Sequence, residues 1–337
     1  MPLIAALLTV LFPACNHADP AIQPPGDAGR SDLTALRDTR KEAAPAADGA
    51  VDDGADTDQS LPPPDAVAAT DSDPPPPLLP ENVTMFVNLG DSLADGAKVD
   101  DALSYRSLLL YNHDARYPAF QGQDLTTLFP GIRLVDESDG GDTTADVIRQ
   151  AQAVPGNPSG NTLVVISAGG NDFINAFYVT AFDPAKTADV ARTATSNLAQ
   201  AVAHFGDRQR YPGEVYLVIF NVHDPTDEMG SIPLGGGELT GHCIAFQIIG
   251  ALGVTATANL AVFNDELAQF ATTSGVALAD NHAAFLGHGF HHDNPQSTHY
   301  DAQNPTLWFD GDCIHASERG HHEMRRLVWQ VLFGTVP

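Results

Sequence analysis

"VTMFVNLGDSLADG" (residues 83–96) joins an apolar run to a tight polar turn. The run is short, β-branched and aromatic, as expected of a strand buried on both faces. A glycine, a carboxylate and Ser92 follow it. In an open parallel sheet, reactive groups and ligands collect just past the carboxyl ends of strands. A serine hydroxyl alone is a weak nucleophile. It needs a base within hydrogen-bond reach and donors for the oxyanion it creates. The fold and the function both turn on whether the rest of the chain supplies them.

Four more runs of the same kind follow: "IRLVD" (132–136), "TLVVISA" (162–168), "EVYLVIFNV" (214–222) and "VALAD" (276–280). Helical patterns lie between them. One spans 143–154 behind a threonine cap, and a long amphipathic one spans 186–205. A third spans 258–273, where Leu260, Phe263, Leu267 and Phe270 recur at helix spacing, and "SERGHHEMRRLVWQVLF" (317–333) closes the chain. Strands alternating with helices predict an α/β fold, a parallel sheet covered on both faces. No internal repeat is present.

Polar, glycine-punctuated segments sit where three of these strands and the last helix meet the sheet edge. "ESDGGDTT" (137–144) follows the second strand, "GGND" (169–172) the third, and "DGDCIH" (310–315) precedes the last helix. Ser92 is the candidate nucleophile and His315 the candidate base. Asp312, three residues earlier, is placed to hold the imidazole in one tautomer and to stabilise its charged form. Gly141 can present a backbone N–H without a side chain in the way, and Asn171 can donate its amide. With the Ser92 N–H these make three oxyanion donors, each worth about 3 kcal/mol in a transition state. Taken singly, each segment is an ordinary turn or cap. Their order along one sheet edge gives them meaning.

That order resembles the four sequence blocks of the SGNH hydrolases, the GDSL esterase/lipase family. "GDSL" carries the nucleophile onto Ser92, "GGDTT" the oxyanion glycine onto Gly141, "GGND" the oxyanion asparagine onto Asn171, and "DGDCIH" the acid–base pair onto Asp312 and His315. The resemblance spans roughly residues 84–333. It implies a three-layer α/β/α sandwich around a five-stranded parallel sheet, flavodoxin-like, and hydrolysis of esters of lipids, sugars or small acyl groups with no metal or other cofactor. The rival serine-esterase elbow, Gly-x-Ser-x-Gly, is absent, since residue 94 is Ala.

The chain outside residues 81–337 reads differently. Residues 1–15 begin with an apolar stretch, 3–12, too short to span a bilayer but suited to a signal peptide. It ends in "FPAC", which resembles the lipobox of bacterial lipoproteins and would make Cys15 a lipid-anchored N-terminus. A cleaved, freely secreted protein is the alternative. Residues 16–80 are rich in Ala, Asp, Pro and Gly without apolar periodicity, and read as a disordered tether. The predicted location is extracytoplasmic, with the membrane as a partner through Cys15 and a small-molecule or polysaccharide ester as substrate. A net charge of −27 argues against nucleic acid as a partner.

With Cys15 assigned to lipid, Cys243 and Cys313 remain as a pair in an oxidising compartment and are expected to bond. Two unrelated buried thiols are the alternative. The segment 223–257, with an apolar patch at 244–254, reads as a lid, an acyl-chain wall or an extra packed helix. Eight of the 13 histidines fall between His282 and His322, which raises a metal site as a rival function. They lack a His-Glu-x-x-His arrangement, and most sit among loop formers. A non-catalytic surface lipoprotein on a hydrolase fold is the other rival.

Overall fold

The computed structural model describes residues 75–180, 183–238, 241–251 and 256–337. The signal-like segment 1–15 with Cys15, and residues 16–74 of the expected tether, lie outside the described residues. The described residues hold strands β1 (Val83–Gly90), β2 (Arg133–Asp136), β3 (Asn161–Ser167), β4 (Val215–Phe220) and β5 (Ala277–Ala279). They form one sheet in the order β2-β1-β3-β4-β5, with every neighbouring pair parallel. The chain steps from β1 to β2 on one side and then crosses to β3 on the other. The β1/β3 boundary is therefore a topological switch point, where a crevice opens beyond the strand ends.

Ten helices among the described residues connect and cover the strands. They are α1 (Ser92–Asp95), α2 (Tyr105–Tyr111), α3 (Leu125–Leu128), α4 (Thr144–Ala153), α5 (Gly170–Thr180), α6 (Pro184–His204), α7 (Gly241–Ala251), α8 (Ala256–Ser274), α9 (Asn281–Phe285) and α10 (Glu318–Phe333). Side chains alternate across a strand, so β1 feeds two cores. Met85, Val87 and Leu89 pack with Val147 and Ala151 of α4, Ala194 and Leu198 of α6, and Phe263 and Leu267 of α8. Phe86 packs on the other face with Tyr105 and Leu109 of α2 and Met324, Val328 and Trp329 of α10. Sheet and two helical layers make the expected three-layer sandwich.

Burial leaves one polar side chain on β1 to be satisfied. Asn88 is fully buried. It accepts from the Tyr105 hydroxyl (2.6 Å) and donates to Asp136 Oδ1 (2.8 Å) and to the Ala94 carbonyl (3.0 Å). It thereby ties β1 to β2 and to the turn after Ser92. An unpaired buried amide would be costly, so this network also specifies how the edge strand docks.

Two findings refine the sequence boundaries. The Leu78 and Leu79 N–H groups donate to the Val331 and Leu332 carbonyls (3.0 and 2.8 Å), so packing begins ahead of Glu81. Within 223–257, α7 is a packed helix, with Cys243 and Ala245 fully buried. Residues 252–255 of the apolar patch lie outside the described residues.

Candidate active site

The turn that presents Ser92 is built by its neighbours. Gly90 sits at φ +134°, and a Cβ there would lie 1.8 Å from the Ser167 carbonyl oxygen, so only glycine lets β1 pass so close to β3. Gln150 clamps the same residue. Its amide oxygen accepts from the Gly90 N–H (2.7 Å), and its Nε2 donates to the Gly90 carbonyl (2.8 Å). Asp91 caps α1, Oδ1 accepting from the Leu93 N–H (3.0 Å). Ser92 is thus the first residue of a capped helical turn anchored to two strands.

The base arrives from the far end of the chain. His315 Nε2 lies 2.8 Å from Ser92 Oγ, although the two residues are 223 positions apart. Its Nδ1–H donates to Asp312 Oδ2 at 2.6 Å. The other Asp312 oxygen accepts from the His315 and Ile314 N–H groups (3.0 and 3.2 Å). Both residues are buried, at 8% and 5% exposure. Burial opposes the charge on Asp312, but the His315 side chain and the two backbone N–H groups outweigh it and hold the carboxyl well below the usual range. Lys98 Nζ adds a cation 3.5 Å from Asp312 Oδ2.

The two expected oxyanion segments are laced to each other. Asn171 Nδ2 donates to the Asp142 carbonyl (2.9 Å), using one of its two protons. Asp172 accepts from the Thr144 N–H and hydroxyl (2.9 and 2.7 Å). Asp146 accepts from the Thr143 N–H (3.0 Å) and hydroxyl (2.8 Å), which starts α4. Gly140 passes Ser92 closely enough that a Cβ on it would stand 4.0 Å from the serine Cβ, and Gly141 follows with φ +89°. Asn171 sits in the first turn of α5, whose amino end carries a partial positive charge. The five residues singled out from the sequence therefore converge on one edge of the sheet.

Two groups to which the sequence assigned no role also belong here. His223 is buried, and its Nε2–H donates to the Ile314 carbonyl (2.8 Å). Nδ1 then accepts from Asn281 Nδ2 (3.2 Å), and Phe285 and Phe309 pack on the ring. Burial pushes this imidazole down to about 4, so it stays neutral. Asp91 is 5% exposed. Burial, seconded by the charge of Asp172, pushes its carboxyl up to about 7 against the Leu93 hydrogen bond and the His315 charge.

Cys243 of α7 and Cys313 between Asp312 and His315 are bonded to each other. Gly237 crosses directly over the bridge at φ +77°. A Cβ there would lie 2.4 Å from one sulfur and 2.7 Å from the other. The Glu238 N–H donates to the Gly311 carbonyl, so the segment before α7 is knitted onto the loop of the candidate base.

The histidine-rich region serves local structure. His288 stacks on Trp308 and bonds the Thr306 carbonyl (3.1 Å), His291 the Ser231 carbonyl (2.8 Å), and His299 pairs with Glu228 (2.8 Å). Asp227 gathers the Gly287, Gly289 and His291 N–H groups (2.9, 2.8 and 2.9 Å), which pins this loop to the segment 223–238. Among the described residues, no three His, Cys, Asp or Glu side chains gather to hold a metal ion. No helix among them is long and apolar enough to cross a membrane.

Comparison with known proteins adds three kinds of likeness. The chain covers 75% of its own length and 99% of a lipolytic G-D-S-L family protein from Veillonella parvula, at 13% identity and TM-score 0.42. For an extracellular lipase from Streptomyces rimosus the figures are 73%, 98%, 20% and 0.43. For an acetyl xylan esterase variant from Geobacillus stearothermophilus they are 75%, 96%, 18% and 0.44. No curated protein matches the sequence. Assignment rests on the family model instead. A model described as GDSL-like lipase/acylhydrolase matches residues 86–328, well over half the chain and all four polar segments. The chain belongs to the GDSL-like lipase/acylhydrolase family and is a serine ester hydrolase.

Proposed function

We propose that this protein hydrolyses carboxylic esters through an acyl-enzyme on Ser92, outside the cytoplasm. The observation that carries the reading is the run of hydrogen bonds from Ser92 Oγ through the His315 ring to Asp312 Oδ2, at 2.8 and 2.6 Å. Ser92 Oγ bonds to the ester carbonyl carbon as its proton passes to His315 Nε2. The negative charge on the carbonyl oxygen meets the Ser92 N–H, the Gly141 N–H and the second Asn171 amide proton. The tetrahedral intermediate collapses with loss of the alcohol, which takes the proton from His315. Water then gives its proton to His315 as it attacks the acyl carbon. On collapse, Ser92 Oγ leaves and recovers that proton, and the carboxylic acid departs.

Asp312 keeps one tautomer throughout and stabilises the imidazolium between steps. The disulfide and the signal-like start support export, and Cys15 would anchor the mature chain in a bacterial membrane, leaving the residues between it and the packed Leu78 as the tether. The test of the nucleophile is reaction with diethyl p-nitrophenyl phosphate followed by peptide mapping. A diethylphosphoryl group on Ser92, with loss of esterase activity, is expected. Full inactivation with the label elsewhere would sink the assignment. The test of the anchor is fractionation of cells making wild type or Cys15→Ser. Only the wild type should follow the membrane, and equal partitioning would leave a freely secreted enzyme.

A further inference from the structure

A cavity opens at Ser92 and His315 and runs over the carboxyl ends of β3 and β4. One side of its mouth is polar, with Asp91 and Asn171. Further polar groups line it after β3 and β4, among them Ser167, Asn221, His223 and Asp224. Its apolar wall is made by Phe173 and Ile174 of α5, Val222 after β4, Phe246 of α7, Leu260 of α8 and Ile314. These come from five separate parts of the chain and converge on one apolar slot beside the reacting oxygen. An acetyl group has one methyl to place there. A linear acyl chain would cover surface that otherwise faces water.

Two of these walls are joined covalently. Phe246 lies one helical turn after Cys243, on the same face of α7. Ile314 directly follows Cys313, and the two cysteines form the disulfide. Cys243 and Cys313 are fully buried, whereas Phe246 and Ile314 are half-buried at the cavity. The bridge therefore fixes the spacing between one wall of the slot and the loop that carries His315. An apolar pocket discriminates by chain length only where its walls hold their distance, since loose walls close up on a short chain.

We infer that the slot is an acyl-chain site and that the enzyme prefers esters of acyl chains longer than acetyl, with Phe246 and Ile314 as the residues that set chain-length preference. This inference rests on the reading of Ser92 as the nucleophile, because the acyl carbonyl must sit at its oxygen. Each methylene buried should raise kcat/KM about fourfold until the slot is full. The alternative it displaces is a deacetylase, whose acetyl group has a single methyl to set against this wall.

The experiment measures kcat/KM for p-nitrophenyl esters from acetate to decanoate, on wild type, Phe246→Ala and Ile314→Ala. The octanoate-to-acetate ratio is the readout, because it cancels any loss of folded protein. A wild-type ratio above about 100, falling about tenfold in either variant, is expected. A ratio below one, unmoved by both substitutions, would overturn the inference while leaving ester hydrolysis intact. If no ester is turned over, the reading of Ser92 fails separately, and octanoate binding by calorimetry still decides the slot. Tighter binding to wild type than to Phe246→Ala upholds it, and equal affinities end it.

Discussion

His223 Nε2–H donates to the Ile314 carbonyl at 2.8 Å, across 91 residues of sequence, and so fixes the peptide that carries His315. The imidazole stays neutral through burial, and its tautomer is set by Asn281 on the other nitrogen. It touches no reacting atom in this arrangement. In the proposed mechanism its role is to keep His315 in line with Ser92.

His223→Leu should therefore lower kcat by about 10–100-fold with little change in KM, since small displacements of a base are costly. His223→Gln, which can still donate to the Ile314 carbonyl, should recover part of the loss. A pure stability role would instead scale both variants with their folded fraction. Steady-state kinetics on protein shown to be folded separates the two.

Asn171→Ala should cost about 10²–10³ in kcat, because one oxyanion donor disappears. Because its Nδ2 also donates to the Asp142 carbonyl at 2.9 Å, the variant will also loosen the second polar segment. Asn171→Asp keeps the size but replaces the donor with an acceptor, and should be at least as impaired. Activity within threefold of wild type in either variant would remove Asn171 from the oxyanion site.

Much of the fold was legible because strands buried on both faces give unbroken apolar runs. β1, β2, β4 and β5 fall within the runs read from the sequence, and β3 starts one residue ahead of its run, at Asn161. The candidate site was legible because each of its residues follows a strand or precedes the last helix. Helix α5 was not seen, because it starts inside the polar "GGND" that reads as a turn. Its signal was Phe173 and Phe177 at i and i+4, both buried. The roles of His223 and Gln150 could not be read, since each bonds a backbone carbonyl distant in sequence. The function of a buried polar side chain is then set by tertiary contact rather than by local pattern.

Asp91 gives a stability prediction whose sign is unusual for a carboxylate. Its folded value, about 7, is above the unfolded value, so the folded state holds the proton longer. Its contribution is full below pH 4 and is lost as pH rises to about 7. Asp91→Asn should melt with wild type at pH 4 and several degrees higher at pH 8. The difference between the two melting curves, followed against pH, checks this. No difference at pH 8 would mean that the buried carboxylate is compensated in both states.

The buried imidazoles act in the opposite sense. Burial lowers His223 to about 4, and His321 and His322 to about 3. The unfolded chain takes up these protons first as pH falls, so stability present above about pH 6.5 drains away toward pH 4. The lowered histidines, which also include His204, His242 and His288, act against the raised carboxylates of Asp91, Asp95, Asp142, Asp172 and Asp227. With three strongly lowered imidazoles against one strongly raised carboxyl, the melting temperature should drop by several degrees between pH 7 and pH 4. A flat profile in scanning calorimetry would contradict it.

Removing the disulfide by Cys243→Ala with Cys313→Ala opens a loop closed over a separation of 70 residues. The chain-entropy model puts the loss at about 4 kcal/mol. Urea unfolding of the double variant should show a lower midpoint. A midpoint equal to wild type would mean that the packing of α7 already supplies the constraint.

The proposed mechanism stands or falls with Ser92 as the nucleophile. It is tested most directly by the rate of p-nitrophenyl ester hydrolysis by Ser92→Ala, on protein with an unchanged melting temperature. A fall in kcat of at least about 10⁴ is expected, leaving only what oxyanion donors and binding supply. A variant that keeps a tenth or more of wild-type turnover would contradict it.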